Sequence, residues 1–172
     1  MLFAFREHLK QLAQDDKDPF HKKIRARVGK RATKLLEKRL RQLIVITPDV
    51  VDRVHLLWRQ FPKDAPAKKV GGYLLSYLYH PKDFLDEGKH GLFGYLDDAY
   101  FSALVYEFVL KAVQEGAGVK LTPKDNRFLC EVVNMKAAAK LVIPDEAKKI
   151  EEMFQEIQNN KESVLFASAF AS

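Results

Sequence analysis

The sequence predicts an all-α fold, a compact bundle of about six or seven helices around a buried central helix at residues 92–115. Apolar residues recur with the 3.6-residue period of an α-helix in each long segment. Asp18-Pro19, Thr47-Pro48 and Thr122-Pro123 each place a capping side chain directly before a proline, which is a typical helix start. The β-like residues 43–47 have no partner of similar character, so we interpret them as a helical turn.

Composition indicates a globular protein. Of the 172 residues, 47% are hydrophobic and 30% are charged, enough for both a packed core and a solvated surface. The single cysteine, Cys130, cannot close an internal disulfide, and its apolar neighbours predict a buried thiol. No apolar run approaches the roughly 20 residues that span a bilayer, and residues 1–8 lack the long apolar segment of a signal peptide. We therefore expect a cytoplasmic protein, with peripheral contact at the inner face of the membrane left open.

The helix starts divide the chain into three predicted regions. These are an N-terminal helical extension at 1–46, a core helical domain at 47–142 and a C-terminal helix at 143–172. Thr122 is followed three residues later by an aspartate, close to a capping box. Two acidic residues follow Pro144, where negative charge favours a helix N-terminus.

The predicted central helix is the most apolar segment. From Leu92 to Val113, apolar residues lie on nearly every helical face, and a helix that is apolar all round is typically buried. Gly116 and Gly118 follow it, as glycines do at helix C-termini.

Positive charge is concentrated in one short segment. Residues 22–41 contain ten Lys or Arg and one acidic residue, Glu37, which is about +9 in a chain of net charge +6. The rest of the chain is therefore about −3. Apolar residues follow one side of this segment, so we predict a single amphipathic helix from Pro19 to about Leu43, with an apolar seam and a wide cationic face. The seam residues are Phe20, Ile24, Val28, Ala32 and Leu35.

The cationic face is the predicted contact for an anionic partner. Lipid headgroups and nucleic-acid phosphates both fit its charge, but few aromatic side chains accompany it to stack on bases, which disfavours specific nucleic-acid recognition. Two other interpretations are that the face touches only solvent, or that it docks on the acidic remainder of the chain. The predicted contact residues are Lys22, Lys23, Arg25, Arg27, Lys30, Arg31, Lys34, Lys38, Arg39 and Arg41.

A second pattern joins two predicted helices. A helix rich in Tyr and Leu runs into a proline turn, and a Gly-Tyr-Leu-Asp-Asp sequence opens the next helix. The residues of this pattern are Pro81, Asp83, Phe84, Leu85, Gly94, Tyr95, Leu96, Asp97 and Asp98. Their order resembles the YkvA-like family, a small bacterial domain of unknown function, over about residues 67–110. The loop at 86–91 is longer and more polar than the family pattern. The resemblance implies a helical hairpin and no specific activity.

The polar residues of this motif have a structural interpretation. Pro81 stops the first helix, Asp83 binds backbone N–H groups in the turn, and Gly94 allows the two helices to approach closely. Asp97 and Asp98 project about 100° apart on a helix. Neighbouring tyrosine hydroxyls are donors that a buried carboxylate needs, so we predict that these aspartates stabilise the hairpin.

An alternative interpretation of the same motif is a metal or acid–base centre, because carboxylates and imidazoles bind divalent ions. The candidates are Asp83, Asp86, Asp97 and Asp98, with His80 or His90. The sequence has no HExxH pattern, no EF-hand loop and no Gly-x-Ser-x-Gly nucleophile. We therefore predict no catalytic residue, no metal ligand and no cofactor.

Three functional hypotheses follow. The first is a non-enzymatic interaction or adaptor protein that contacts an anionic surface, such as membrane headgroups, through the basic segment. The second is a nucleic-acid-associated protein that uses the same segment. The third is a metal-dependent enzyme that uses the hairpin carboxylates. The sequence favours binding over catalysis.

Overall fold

The computed structural model describes residues 2–59, 61–63, 65–79, 84–117 and 121–159. Within these ranges no strand occurs and the chain forms a helical bundle, which confirms the predicted all-α fold. The α-helices are α1 (Leu2–Gln14), α2 (Phe20–Val28), α3 (Lys34–Trp58), α4 (Pro66–Leu78), the short α5 (Glu87–His90), α6 (Leu96–Ala117), α7 (Pro123–Val142) and α8 (Pro144–Gln158).

Helix α6 is the centre of the bundle, as predicted. It packs against α3, α4, α7 and α8, and Phe101, Val105 and Val109 on it are completely buried. The helix begins at Leu96 rather than at residue 92, because Gly91–Tyr95 forms a 3-10 helix. Gly91 has a φ of +58°, a conformation that favours glycine.

Helix α3 is the longest helix, and it corrects one predicted start. Thr47 and Pro48 do not begin a helix; both lie buried inside α3. Because Thr47 is already helical, its hydroxyl donates to the Leu43 carbonyl at 3.0 Å instead of capping. The β-like residues 43–47 are helical as predicted, and the predicted boundary between residues 46 and 47 falls inside this continuous helix.

The other predicted starts are present. Thr122 and Asp125 form a full capping box at the start of α7, and Pro144 is the first residue of α8. The Asp18 carboxylate accepts a hydrogen bond from the N–H of Phe20, the first residue of α2, at 2.8 Å. A side chain that bonds to a backbone N–H marks the starts of α2 and α7, and a proline at the first position marks the start of α8.

The predicted single helix from Pro19 to Leu43 is wrong. Helix α2 ends at Val28, and Gly29 takes a φ of +58°, which a residue with a Cβ rarely adopts. Residues Gly29–Arg31 form a 3-10 turn. The Thr33 hydroxyl then accepts from the Leu36 N–H at 3.1 Å and caps a new helix, α3.

Cys130 corrects a second prediction, because its thiol is exposed. Val132, Met135 and Ala139 form the buried face of α7. Cys130 lies two residues before Val132, about 200° around the helix, so it faces away from the core. Its apolar neighbours in sequence belong to the buried side.

Candidate functional site

The basic segment folds as a helical hairpin rather than as one helix. We define the cationic hairpin as residues 20–42, which include α2, the turn and the first part of α3. His21 Nδ1 of α2 lies 2.5 Å from Glu37 Oε1 of α3, and the Arg41 guanidinium lies 4.6 Å from the centre of the Phe20 ring. These two contacts join the arms of the hairpin.

Two of the ten predicted contact residues instead attach α2 to the bundle. Arg27 forms an ion pair with Glu146 of α8 at 2.8 Å and lies 5.9 Å from the Phe93 ring centre. Lys23 Nζ lies 2.7 Å from His90 Nδ1 at the end of α5. Sequence reasoning did not find these anchors, because their partners are more than 60 positions away along the chain.

Arg41 is a third anchor. It covers Phe20 and donates to the Ala13 carbonyl at 3.1 Å, which joins the end of α1 to the hairpin. Asp18 adds a fourth connection, because its second carboxylate oxygen accepts from the Leu92 N–H at 2.9 Å. The hairpin is therefore held to α1, α5, α8 and the turn before α6.

The other seven predicted contact residues form the cationic surface. All seven side chains are exposed, and no ion pair within the described residues includes any of them. These charges are distributed over α2, the 3-10 turn and the start of α3. The cationic surface consists of Lys22, Arg25, Lys30, Arg31, Lys34, Lys38 and Arg39.

Leu35 lies among these charges and not on the predicted seam. Its side chain is 58% exposed, and Lys38 and Arg39 are its neighbours one turn further along α3. The seam prediction fails here because the break at residues 29–33 changes the rotational phase of the second helix. Gly29 and the capping residue Thr33 were the signals in the sequence that indicated this break.

His90, at the end of α5, lies next to α2 of the cationic hairpin and is surrounded by positive charges. Burial lowers the pKa of its imidazole, and the nearby charge of Lys23 lowers it further. Arg27 and Lys89 also lower this pKa, while Asp86 raises it. The arrangement favours the neutral ring beside the Lys23 ammonium.

Asp97 is the centre of a buried polar contact in the second motif. One carboxylate oxygen accepts from the Tyr77 hydroxyl at 3.0 Å and from the Leu85 N–H at 3.1 Å. The other oxygen accepts from the Asp98 N–H at 3.0 Å. A tyrosine hydroxyl therefore donates to an aspartate here, as predicted. Through these bonds Asp97, which belongs to α6, is joined both to α4 and to the segment that precedes α5. Asp98 is also buried, at 1% exposure.

Gly94 permits a close approach, but to a different element from the one predicted. A Cβ at Gly94 would lie 2.4 Å from the Glu87 Cα, so the approach is to α5 and not to α4. Tyr95 turns toward α1, where its hydroxyl lies 3.1 Å from His8 Nε2 and its ring packs against Phe5.

The remaining metal-site candidates have the following positions. His80, Pro81 and Asp83 lie outside the described residues. Asp86 caps α5, and its hydrogen bond from Lys89 lowers the pKa of the carboxyl group. In the part of the chain that the structure describes, no three His, Cys, Asp or Glu side chains are grouped closely enough to hold a metal ion.

Two further findings bear on function. None of the helices formed by the described residues has the length and apolar character needed to cross a membrane. Comparison with family models, curated proteins and solved structures gave no match to this chain.

Proposed function

We propose that this chain is a non-enzymatic interaction protein that binds an anionic partner through the cationic surface. One observation carries the proposal. Seven exposed Lys and Arg side chains share one hairpin, and none has an ion pair among the described residues, although the chain outside residues 22–41 is net acidic by about three charges.

The folded hairpin holds like charges near one another. Lys34 and Lys38 are one turn apart on α3, where two cations repel each other. Lys30 and Arg31 are adjacent in the turn that joins α2 to α3. An anionic partner that neutralises these charges relieves the repulsion and gains attraction, and both effects weaken as salt screens the charges.

The hairpin is also arranged before any partner arrives. The Arg27 pair with Glu146, the Arg41 bond to Ala13 and the packing of Phe20 in the core fix its position on the bundle. A surface that is already ordered loses less conformational entropy on binding than a mobile basic tail does.

We further propose that residues 67–110 form the scaffold of the YkvA-like type that their motif resembles. The described part of this region supports a structural role. Asp97 binds Tyr77 and Leu85, and Gly94 contacts Glu87 closely.

The experiment compares two variants of equal charge. In the hairpin variant, the seven residues of the cationic surface are changed to Gln, which retains helix propensity and changes the net charge from +6 to −1. In the control variant, seven exposed cations elsewhere on the chain are changed to Gln. The control positions are Lys17, Arg59, Lys63, Lys111, Lys124, Arg127 and Lys149.

Binding to anionic vesicles and to duplex DNA is measured at low and moderate salt, with folding checked by circular dichroism. We expect the parent to bind at least one of them and to weaken with salt. A basic residue near an anionic lipid surface contributes about 1 kcal/mol, so the hairpin variant should bind vesicles more than about a hundredfold more weakly. The control variant should bind close to the parent. The proposal is wrong if the parent binds neither surface, or if both variants lose the same affinity.

A further inference from the structure

We infer that the anionic partner is a lipid bilayer surface, and that Leu35 enters the bilayer interface while the surrounding cations bind acidic headgroups. This inference rests on the proposed function and names its partner. The carrying observation is the position of Leu35, which is 58% exposed beside the exposed cations Lys34, Lys38 and Arg39.

The neighbours of Leu35 have the arrangement of an interfacial contact. Lys34 adjoins it, and Lys38 and Arg39 lie one turn away on the same side of α3. An apolar side chain surrounded by Lys and Arg matches a bilayer interface, where an apolar residue is buried at the headgroup boundary and basic residues meet anionic lipids. The long stems of these basic residues also reach past Leu35 to the headgroups.

The same surface lacks the groups that nucleic acids require beyond charge. Between residues 21 and 42 the sequence has no Phe, Tyr or Trp. Phe20, just before this segment, is completely buried. Bases therefore find no aromatic face to stack on, and an exposed Leu adds nothing to phosphate binding. Charge and apolar exposure together favour lipid.

The first test removes the apolar contact and leaves every charge in place. Leu35→Ala is compared with Leu56→Ala, which truncates a similarly exposed leucine, at 62% exposure, further along the same helix. The two leucines are about 30 Å apart along α3. The probe is a vesicle of phosphatidylcholine with a fraction of phosphatidylglycerol, and a duplex DNA serves as the second anionic surface.

We expect Leu35→Ala to bind these vesicles about tenfold more weakly, in line with the apolar area lost on truncation. Leu56→Ala should bind like the parent, and neither change should alter binding to DNA. If the seven-Gln hairpin variant loses vesicle binding but Leu35→Ala does not, the proposed function stands and the insertion of Leu35 is wrong. If the parent prefers DNA to vesicles at equal salt, and the two leucine variants behave alike, the partner is a nucleic acid.

A second readout locates the contact by fluorescence rather than by affinity. The only cysteine of the chain, Cys130, is exposed on α7. In the parent protein this thiol is labelled with an environment-sensitive fluorophore. Arg53 of α3 pairs with Asp125 at 3.0 Å and lies over Phe128, which places this part of α7 beside residue 53. That position is about 27 Å from Leu35 along α3.

A Leu35→Cys, Cys130→Ser variant carries the same fluorophore at position 35. On vesicles its emission should shift to the blue and its quenching by aqueous iodide should fall, while the label on Cys130 changes in neither respect. A label at position 35 that stays as accessible to iodide on vesicles as in solution would show that Leu35 remains in water and would overturn the inference.

Discussion

At the scale of single residues, the Asp97 carboxylate contributes most clearly to the fold. It is completely buried and accepts hydrogen bonds on both oxygens, from Tyr77 and Leu85 on one and from the Asp98 N–H on the other. A buried acceptor that loses its donor costs more than an exposed one, because water cannot replace the lost hydrogen bond. The contacts of Asp97 therefore make it a sensitive position for stability.

We predict that Asp97→Asn lowers the free energy of unfolding by about 2 kcal/mol. Either orientation of the amide turns its NH₂ group toward at least one of the present donors. Urea unfolding measures the change. Asp16→Asn, at an exposed position in the loop after α1, is the control and should leave the unfolding free energy unchanged. Equal midpoints for the two variants would contradict the structural role of Asp97.

His90 gives the fold a specific dependence on pH. Burial and the nearby Lys23 lower its pKa from the ordinary value of 6.5, so the folded protein binds fewer protons than the unfolded chain as pH falls through this region. The contribution of His90 therefore makes the unfolding free energy rise with pH. This contribution is complete above pH 6.5 and is lost progressively as the pH falls below 6.5.

We predict that His90→Gln flattens this part of the stability profile between pH 5 and 7.5, since Gln has no proton to bind. The measurement is the unfolding free energy of both proteins at several pH values. The other four histidines are common to both proteins, so the difference between the two profiles isolates His90. Profiles that remain parallel across this range would show that His90 does not cause the dependence.

At the scale of elements, three glycines differ in what opposes a larger side chain, and changing each one to alanine distinguishes the three cases. Gly29 takes a positive φ with open space around it, so only its conformation resists a side chain. A Cβ at Gly71 would lie 2.2 Å from the Trp58 ring, so packing resists it. Gly116 has neither restriction, because it lies in α6 with nothing within 4 Å and no positive φ.

We therefore predict an order of effects for Gly→Ala. Gly29→Ala should cost about 1 kcal/mol of stability through strain, and Gly71→Ala about 1–3 kcal/mol through overpacking against Trp58. Gly116→Ala should be neutral or slightly stabilising, since alanine loses less conformational entropy on folding. Thermal unfolding monitored by circular dichroism gives all three values. A Gly71→Ala variant as stable as Gly116→Ala would mean that Trp58 moves aside without cost.

Some features of these elements were predictable from the sequence, and others were not. The all-α class, the central helix and the capping box at Thr122 were predictable, because each depends on a local pattern or on a long apolar stripe. Leu35 and Cys130 were misplaced, because a single helical phase was extended through Gly29 in one case and neighbours in sequence were taken as neighbours in space in the other. Arg27 was not recognised as an anchor, since its partner Glu146 is set only by the tertiary fold.

At the scale of the whole molecule, charge is distributed unevenly. Without the seven side chains of the cationic surface, the chain has a net charge of about −1. An anionic surface therefore attracts one hairpin and slightly repels the rest, so the protein approaches with α2 and the start of α3 first. The proposed contact thus sets an orientation as well as an affinity.

Pro48 interrupts the hydrogen bonding of α3 near its middle. It has no N–H to donate to the carbonyl of Ile44, so α3 lacks one backbone hydrogen bond at this position. The missing bond lies between the half of α3 that carries the cationic surface and the half that packs beside α4 and α7. A helix that lacks one backbone hydrogen bond bends more easily at that position, and sharp kinks in helices are most often found at proline. Pro48 therefore marks the point at which we expect any curvature of α3 to be concentrated.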